Sequence, residues 1–148
     1  MEQPQQGLTF SMGIGRIKDL EFFIDESAEV DNELTSQVTF NNTLNIYLET
    51  ERIDIIIEAN FYVNDIKDTF MRGKVLTSFN IPNMKQYLVP DTTQVNIPDA
   101  VLVTMFSIAI THTRALIAKA SMGSRFGNLY LPIIPNPGEI LKQMLPHK

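Results

Sequence analysis

Apolar and polar residues alternate with a period of two over much of the first 80 positions. In the stretch 38–48 apolar side chains occupy every second position except 42, which is Asn, and the stretch 53–63 repeats this pattern after the short charged turn 50–52. Period two is typical of a β-strand with one apolar and one polar face. After a loop around 64–68, a third strand is expected over about 70–79. Because strands joined by short turns pair with one another, the three are predicted to form an antiparallel meander.

A further long strand is predicted before this meander, over residues 8–23, which are rich in Phe and Ile. Its glycines, Gly13 and Gly15, permit a bend or a bulge. The polar and acidic stretch 26–33 is typical of a loop. The N-terminal two thirds of the chain therefore predict a sheet of four strands.

The pattern changes after residues 80–96, a crossover that contains two prolines. A long helix is predicted to begin at Ile97-Pro98, because proline suits the first turn and Asp99 complements the helix dipole. It is expected to run to about Ser121-Met122, where Gly123 stops it.

One narrow polar stripe runs along the first half of this helix, and nearly all other positions up to 110 are apolar. A helix on the surface of a monomer needs only one apolar face. We therefore expect cover on two sides, from the chain's own sheet and from a second subunit. The predicted subunit contacts are Val103, Phe106 and Ile110.

The last part of the chain combines an apolar, proline-rich segment with a short amphipathic stretch. Residues 126–135 are expected to be extended chain laid over the core, and residues 138–145 to form a short final helix. The sequence contains no internal repeat. It predicts a single domain, 1–148, of the α+β class: a four-stranded antiparallel sheet with a long helix and a short C-terminal helix packed on one face.

The amino-acid composition excludes or disfavours several classes of function. The 148 residues include no cysteine and two histidines, and the net charge is −5. No disulfide framework or thiolate metal site can form, and an acidic surface disfavours nucleic acid as a ligand. The N-terminus lacks the features of a secretory signal, and the longest apolar stretch is too short to span a bilayer. A cytoplasmic protein without membrane insertion is expected.

The sequence shows no arrangement of residues that is typical of a catalytic, metal or phosphate site. Gly13-Ile14-Gly15 lacks the third glycine of a phosphate loop, and His112 has no second histidine at helical spacing. Asp54 and Glu58 are expected on a solvated polar face. We predict no catalytic residues, no metal, no cofactor and no enzymatic activity. Nine Phe and seven Met instead suggest apolar surface for subunit contacts or for a groove that binds extended chains.

The order of these elements resembles the SecB family of export chaperones. The stretch Arg16-Ile17-Lys18-Asp19-Leu20-Glu21-Phe22 is similar to the family's first strand, with its Arg-Ile…Lys-Asp-Ile-Ser-Phe pattern. Residues 53–63 are similar to its central strand, and 70–81 to the strand that ends Ile-Phe-Ser-Ile. Residues 126–134 resemble its Phe-Pro-Gln-Leu-Asn-Leu-Ala-Pro-Val signature. Agreement of order and spacing carries the resemblance.

The resemblance implies a homotetramer that holds unfolded polypeptides in hydrophobic grooves without ATP. By matching position, the groove residues are Phe70, Phe79, Tyr130 and Ile133. The family also presents an acidic patch to the translocase motor SecA. Asp19 matches one member of that patch and Glu21 lies nearby, whereas Gly73 and Phe23 stand at two of its other acidic positions.

Two functions follow from this resemblance. The first is a general holdase for unfolded polypeptides or preproteins, whose negative charge would favour basic clients. The second is a divergent scaffold or adaptor that binds one dedicated protein, for example in a toxin–antitoxin system. A small-molecule enzyme or binder would need a closed pocket with polar groups at its tip, which the sequence does not indicate.

Overall fold

The protein is described by a computed structural model that covers residues 11–27, 36–63, 66–124 and 126. Its strands are β1 (Gly13–Ile24), β2 (Ser36–Tyr47), β3 (Arg52–Val63) and β4 (Ile66–Asn80). A short 3₁₀ helix (Met84–Tyr87) and the long helix α1 (Asp99–Ser121) follow. The strand order is β1-β4-β3-β2, and all pairs are antiparallel. The α+β prediction is confirmed: β2, β3 and β4 form a meander, and β1 pairs with β4.

Two strand boundaries differ from the sequence prediction. β1 begins at Gly13, so Ser11 and Met12 precede it. β4 begins at Ile66, because its backbone pairs with the end of β3 through two register shifts, and part of the predicted loop is therefore strand. The predicted final helix at 138–145 and most of the predicted loop 26–33 lie outside the described residues.

The predicted bulge at Gly15 is confirmed, since the pairing of β1 with β4 shifts between Ile14 and Arg16. The limits of the helix are also close to those predicted. Pro98 takes the N-cap position just before α1, and Gly123 adopts a φ of 83° just after it. That left-handed conformation suits glycine, which lacks a Cβ, and it ends the helix.

The core lies between α1 and one face of the sheet. β3 contributes an alternating row of fully buried side chains, and α1 contributes every third or fourth residue. One cluster comprises Ile53, Ile55, Ile57, Phe79, Ile81, Met84, Ile97, Leu102, Met105, Phe106, Ala109 and Ile110. A second comprises Ala59, Phe61, Phe70, Met71, Ile117 and Phe126. We call the side of the sheet that meets α1 the helix-facing side, and the opposite side the open face.

The helix and sheet approach each other most closely at Gly73 of β4. A Cβ built there would lie 2.3 Å from Cγ1 and 2.5 Å from Cδ1 of Ile117. Any side chain larger than hydrogen would collide with the helix. Glycine at this position, where the resemblance expects a glutamate, is therefore explained by packing.

Candidate polypeptide-binding surfaces

Strand β1 exposes four large apolar side chains at the edge of the sheet. Ile14, Ile17, Leu20 and Phe23 are each between 41% and 50% exposed. Ile14 pairs with Phe79 and Ile17 with Thr77, which places these two isoleucines on the helix-facing side. Within the described residues, the outer backbone edge of β1 has no partner strand. Phe23 pairs with Arg72 and therefore lies on the open face. On its helix-facing side β1 offers the two exposed isoleucines next to an open backbone edge, the two components that bind extended peptides.

The outer side of α1 forms a second candidate surface. A concavity of about 440 Å³ is lined by Val103, Thr104, Ser107, Ile108, Thr111 and His112. The hydroxyls of Thr104, Ser107 and Thr111 each donate to the carbonyl four residues earlier, at 2.8–2.9 Å. Because backbone carbonyls of the helix accept these hydrogen bonds, the three hydroxyls do not need a hydrogen-bond acceptor outside the helix. The stripe can therefore contact an apolar surface although it is polar in the sequence.

Helix α1 retains apolar surface beyond what the sheet covers. By length and composition alone it could cross a membrane. Within an apolar stretch of 18 residues of this helix, 39% is buried in the structure. The core helix of a globular protein satisfies the same criterion. Cover of the remaining surface of α1 by a second subunit, as expected from the sequence, stays a prediction.

Of the four predicted groove residues, the structure describes two. Phe70 and Phe79 are 3% and 0% exposed, so both are core residues of this chain. The ring of Phe70 lies 4.9 Å from that of Phe126 and 6.4 Å from that of Phe61. Neither side chain lines a described groove, while Tyr130 and Ile133 lie outside the described residues. Contact of the four with a bound polypeptide stays a prediction.

The predicted subunit contacts divide in the same way. Val103 is half-buried and lines the concavity of α1, whereas Phe106 and Ile110 are buried against the sheet. For Phe106 and Ile110 the structure supports a packing role, and contact with a second subunit is untested. The sequence did not distinguish these positions because α1 is apolar on more than one side.

Asp19 and Glu21 do not form one patch on this sheet. They are two positions apart, which in a regular strand would put both side chains on the same face. The register shifts between them, so that Asp19 pairs with Val75 and Glu21 with Lys74. Adjacent pairs point to opposite sides, hence Asp19 lies on the helix-facing side and Glu21 on the open face.

The open face carries a hydrogen-bonded network that crosses all four strands. Asn41 of β2 and Asn60 of β3 both donate to Oε1 of Glu58, at 3.1 and 3.0 Å. Nε of Arg72 donates to Oδ1 of Asn60 at 2.7 Å, and its Nη1 lies 3.3 Å from Oε1 of Glu21. The hydrogen bond from Asn60 is the main cause that lowers the pKa of Glu58. Sequence reasoning missed this network, although the polar residues on alternate positions of adjacent strands were visible.

Two further residues differ from, or add to, the sequence interpretation. Asp54 is 6% exposed rather than solvated: it accepts a hydrogen bond from Ser78 at 2.7 Å and lies 3.0 Å from Nε of Arg52. His112 is half-buried, as expected, and its Nδ1 lies 3.2 Å from the hydroxyl of Thr77. Burial lowers the pKa of His112.

Within the described ranges, no group of three or more His, Cys, Asp and Glu side chains could hold a metal ion. The features that the described residues do offer are therefore apolar surface on β1 and α1, and a polar network on the open face.

Comparison with solved structures defines the fold class as SecB-like. The SecB-like chaperone Rv1957 of Mycobacterium tuberculosis, in complex with a ChAD peptide from the antitoxin HigA1, matches with a TM-score of 0.59 at 12% identity, over 83% of this chain and 89% of that chain. A Streptococcus agalactiae protein of unknown function covers 84% of this chain and 99% of its own at 12% identity, but its TM-score of 0.28 supports no argument. No protein-family model and no curated protein matches the sequence.

Proposed function

We propose that this protein is an ATP-independent chaperone that holds extended or unfolded polypeptides against apolar surface. The observation that carries the proposal is the pair of exposed isoleucines, Ile14 and Ile17, beside the open edge of β1 in a SecB-like fold. A solved protein with this fold binds a peptide from an antitoxin. Burial of apolar surface contributes roughly 25 cal/mol per Å², so a long client gains affinity from many weak contacts without a catalytic group.

The proposal includes assembly in the cytoplasm into a homo-oligomer, most simply a tetramer. A partner subunit would cover the apolar surface that α1 retains beyond its own sheet. A mass in solution near that of four chains would support this assembly, and a stable monomer would contradict it.

A second candidate function is an adaptor for one dedicated protein partner. Coupling to SecA would require a joint acidic patch, but Asp19 and Glu21 lie on opposite sides of the sheet and a Cβ at position 73 would collide with the side chain of Ile117. This arrangement favours a partner other than SecA. The similar chaperone Rv1957 is in complex with a peptide from an antitoxin, which supports a protein partner of this kind.

Light scattering separates the two functions. Two unrelated, chemically unfolded proteins are diluted into buffer with this protein or with an inert acidic protein of similar size. Suppression of both aggregations at near-stoichiometric amounts indicates a general holdase. Suppression of neither contradicts that function and leaves the dedicated adaptor, for which pull-downs from the native host follow.

A matched pair of variants tests the role of β1. Ile17→Ser removes an exposed apolar side chain from β1, and Ile46→Ser removes one of similar exposure from the opposite edge strand β2. We expect Ile17→Ser to weaken suppression several-fold and Ile46→Ser to have a smaller effect. Equal effects would contradict the assignment of client contacts to β1.

A further inference from the structure

The open face of β1 and β4 carries charge opposite to that of the whole protein. The chain has a net charge of −5. On these two strands the register places four basic residues on the open face, Arg16 and Lys18 from β1 and Arg72 and Lys74 from β4, against one carboxylate, Glu21. We call these four residues the basic patch. Such a local reversal of sign attracts ligands that the protein as a whole would repel.

Two of the four cations are available to a ligand. Arg16 and Lys18 are exposed, and neither makes an ion pair or a side-chain hydrogen bond with any described residue. Lys74 lies opposite Glu58 in the register and, with Arg72, helps to lower the pKa of that carboxylate. The uncompensated positive charge is therefore concentrated toward β1.

Arg72 is held in a fixed orientation by the network. Its Nε donates to Asn60 at 2.7 Å, and its Nη1 lies 3.3 Å from Glu21. Directly opposite Arg72 in the register stands Phe23, which is 44% exposed. An oriented guanidinium beside an exposed aromatic ring is a combination enriched in protein–protein interfaces.

Protection of a sheet edge does not explain the whole basic patch. Charged side chains and bulges on an edge strand discourage pairing with other chains, and β1 has both. Arg72 and Lys74, however, belong to β4, which is paired on both sides and has no edge to protect. The patch extends from the edge onto the interior of the sheet.

We propose that the basic patch, together with Phe23, is a docking surface for an acidic segment of a partner protein on the open face of the sheet, opposite the side that carries Ile14, Ile17 and α1. Carboxylates of the partner pair with Arg16 and Lys18, and an apolar side chain packs against Phe23. A polypeptide fits better than a nucleic acid, because Glu21, Asp54 and Glu58 share the open face and would repel a continuous phosphate backbone. The partner is therefore acidic, whereas net charge alone predicts a basic one.

The test uses two short labelled peptides, one of alternating glutamate and threonine with a central phenylalanine, and one with lysine in place of glutamate. Binding to the full chain is followed by fluorescence anisotropy at low and at high salt. The acidic peptide should bind more tightly than the basic one, and salt should weaken its binding. Lys18→Glu should weaken it by about tenfold, whereas Lys85→Glu, the same change at an exposed position outside the sheet, should alter it by less than about twofold.

Several results would overturn the proposal: equal binding of the two peptides, no effect of Lys18→Glu in a variant whose circular dichroism is unchanged, or tighter binding of a single-stranded oligonucleotide than of the acidic peptide. Light scattering with Lys18→Glu measures the suppression of aggregation separately from the binding of the acidic peptide. Suppression should be retained, since the docking surface does not depend on the holdase function, and either function can fail without the other.

Discussion

The two faces of the sheet are stabilised by different interactions: apolar packing on the helix-facing side and side-chain hydrogen bonds on the open face. On the helix-facing side, Ile53, Ile55 and Ile57 of β3 are fully buried, and specificity comes from shape, most sharply where Ile117 of α1 rests on Gly73. On the open face, side chains of the same strand form hydrogen bonds, as in the network around Glu58 and Asn60.

The difference shows which face can carry recognition without loss of the fold. Substitutions on the helix-facing side alter packing that the whole domain shares, so their effects on binding cannot be separated from their effects on stability. The open face is connected by local polar contacts and can change its charge at modest cost. Four predictions test this contrast, from the largest expected effect to the smallest.

Phe106→Asp should abolish cooperative folding. The side chain is fully buried between α1 and the sheet, and a carboxylate there would have neither solvent nor a charged partner. Loss of a large core side chain alone costs about 3–5 kcal/mol, a substantial part of a typical domain's stability. Circular dichroism and thermal unfolding measure the outcome.

Thr104→Asp provides the control, because Thr104 is exposed on the same helix. It should remain folded. If Phe106→Asp instead keeps its fold and only dissociates into smaller species in size-exclusion chromatography, Phe106 is a subunit contact, as the sequence suggested, and its core assignment is wrong.

Gly73→Ala should destabilise the protein by about 1–3 kcal/mol, because the new methyl group collides with Ile117. The free energy of unfolding in urea measures the effect. Gly13→Ala, at a glycine of β1 with nothing within 4 Å of the added Cβ, should be close to neutral. The second change Ile117→Ala should remove much of the penalty of Gly73→Ala, and purely additive losses would show that the two residues do not meet.

Asn60→Ala should lower the free energy of unfolding by about 1–2 kcal/mol, since it removes the hydrogen bonds that join Arg72 and Glu58. Asn45, also on the open face, makes no side-chain hydrogen bond with a described residue, and Asn45→Ala should cost less. A double-mutant cycle with Glu21→Gln should show coupling across Arg72. Additive effects would mean that the network is not connected.

The smallest effect is expected from pH. Because burial lowers the pKa of His112 in the folded protein, the unfolded chain binds more protons below about pH 6.5, and stability should decrease as pH falls below that value. In the variant His112→Gln, the free energy of unfolding should depend less on pH below about pH 6.5. The lowered pKa of Glu58 acts separately: its contribution is present above the ordinary glutamate pKa and is lost at more acidic pH. An unchanged profile in His112→Gln would contradict the first assignment.

The elements that repeat regularly were predictable from the sequence. Period two located β2 and β3 to within two residues, and Gly123 marked the end of α1 because its conformation requires glycine. The bulge at Gly15 had a glycine to indicate it. The bulge between Asp19 and Glu21 had no such indication, and it puts these two side chains on opposite sides of the sheet although they are two positions apart.

The candidate site was less predictable than the fold. A helix that is apolar on several sides does not reveal which side meets the sheet, so Phe106 and Ile110 could not be separated from Val103. The basic patch depends on the pairing register of β1 with β4, which brings together residues that are far apart in the chain. Neither property is encoded in a local pattern of residues.

The strand order has a consequence for how the chain is made. β2, β3 and β4 follow one another and can pair as hairpins soon after synthesis, but β1 must wait for β4, which is translated after two intervening strands. During this interval Ile14, Ile17 and Phe23 emerge on a strand without a partner. Strand β1 thus remains an unpaired apolar segment until β4 has been synthesised, and its pairing with β4 completes the order β1-β4-β3-β2.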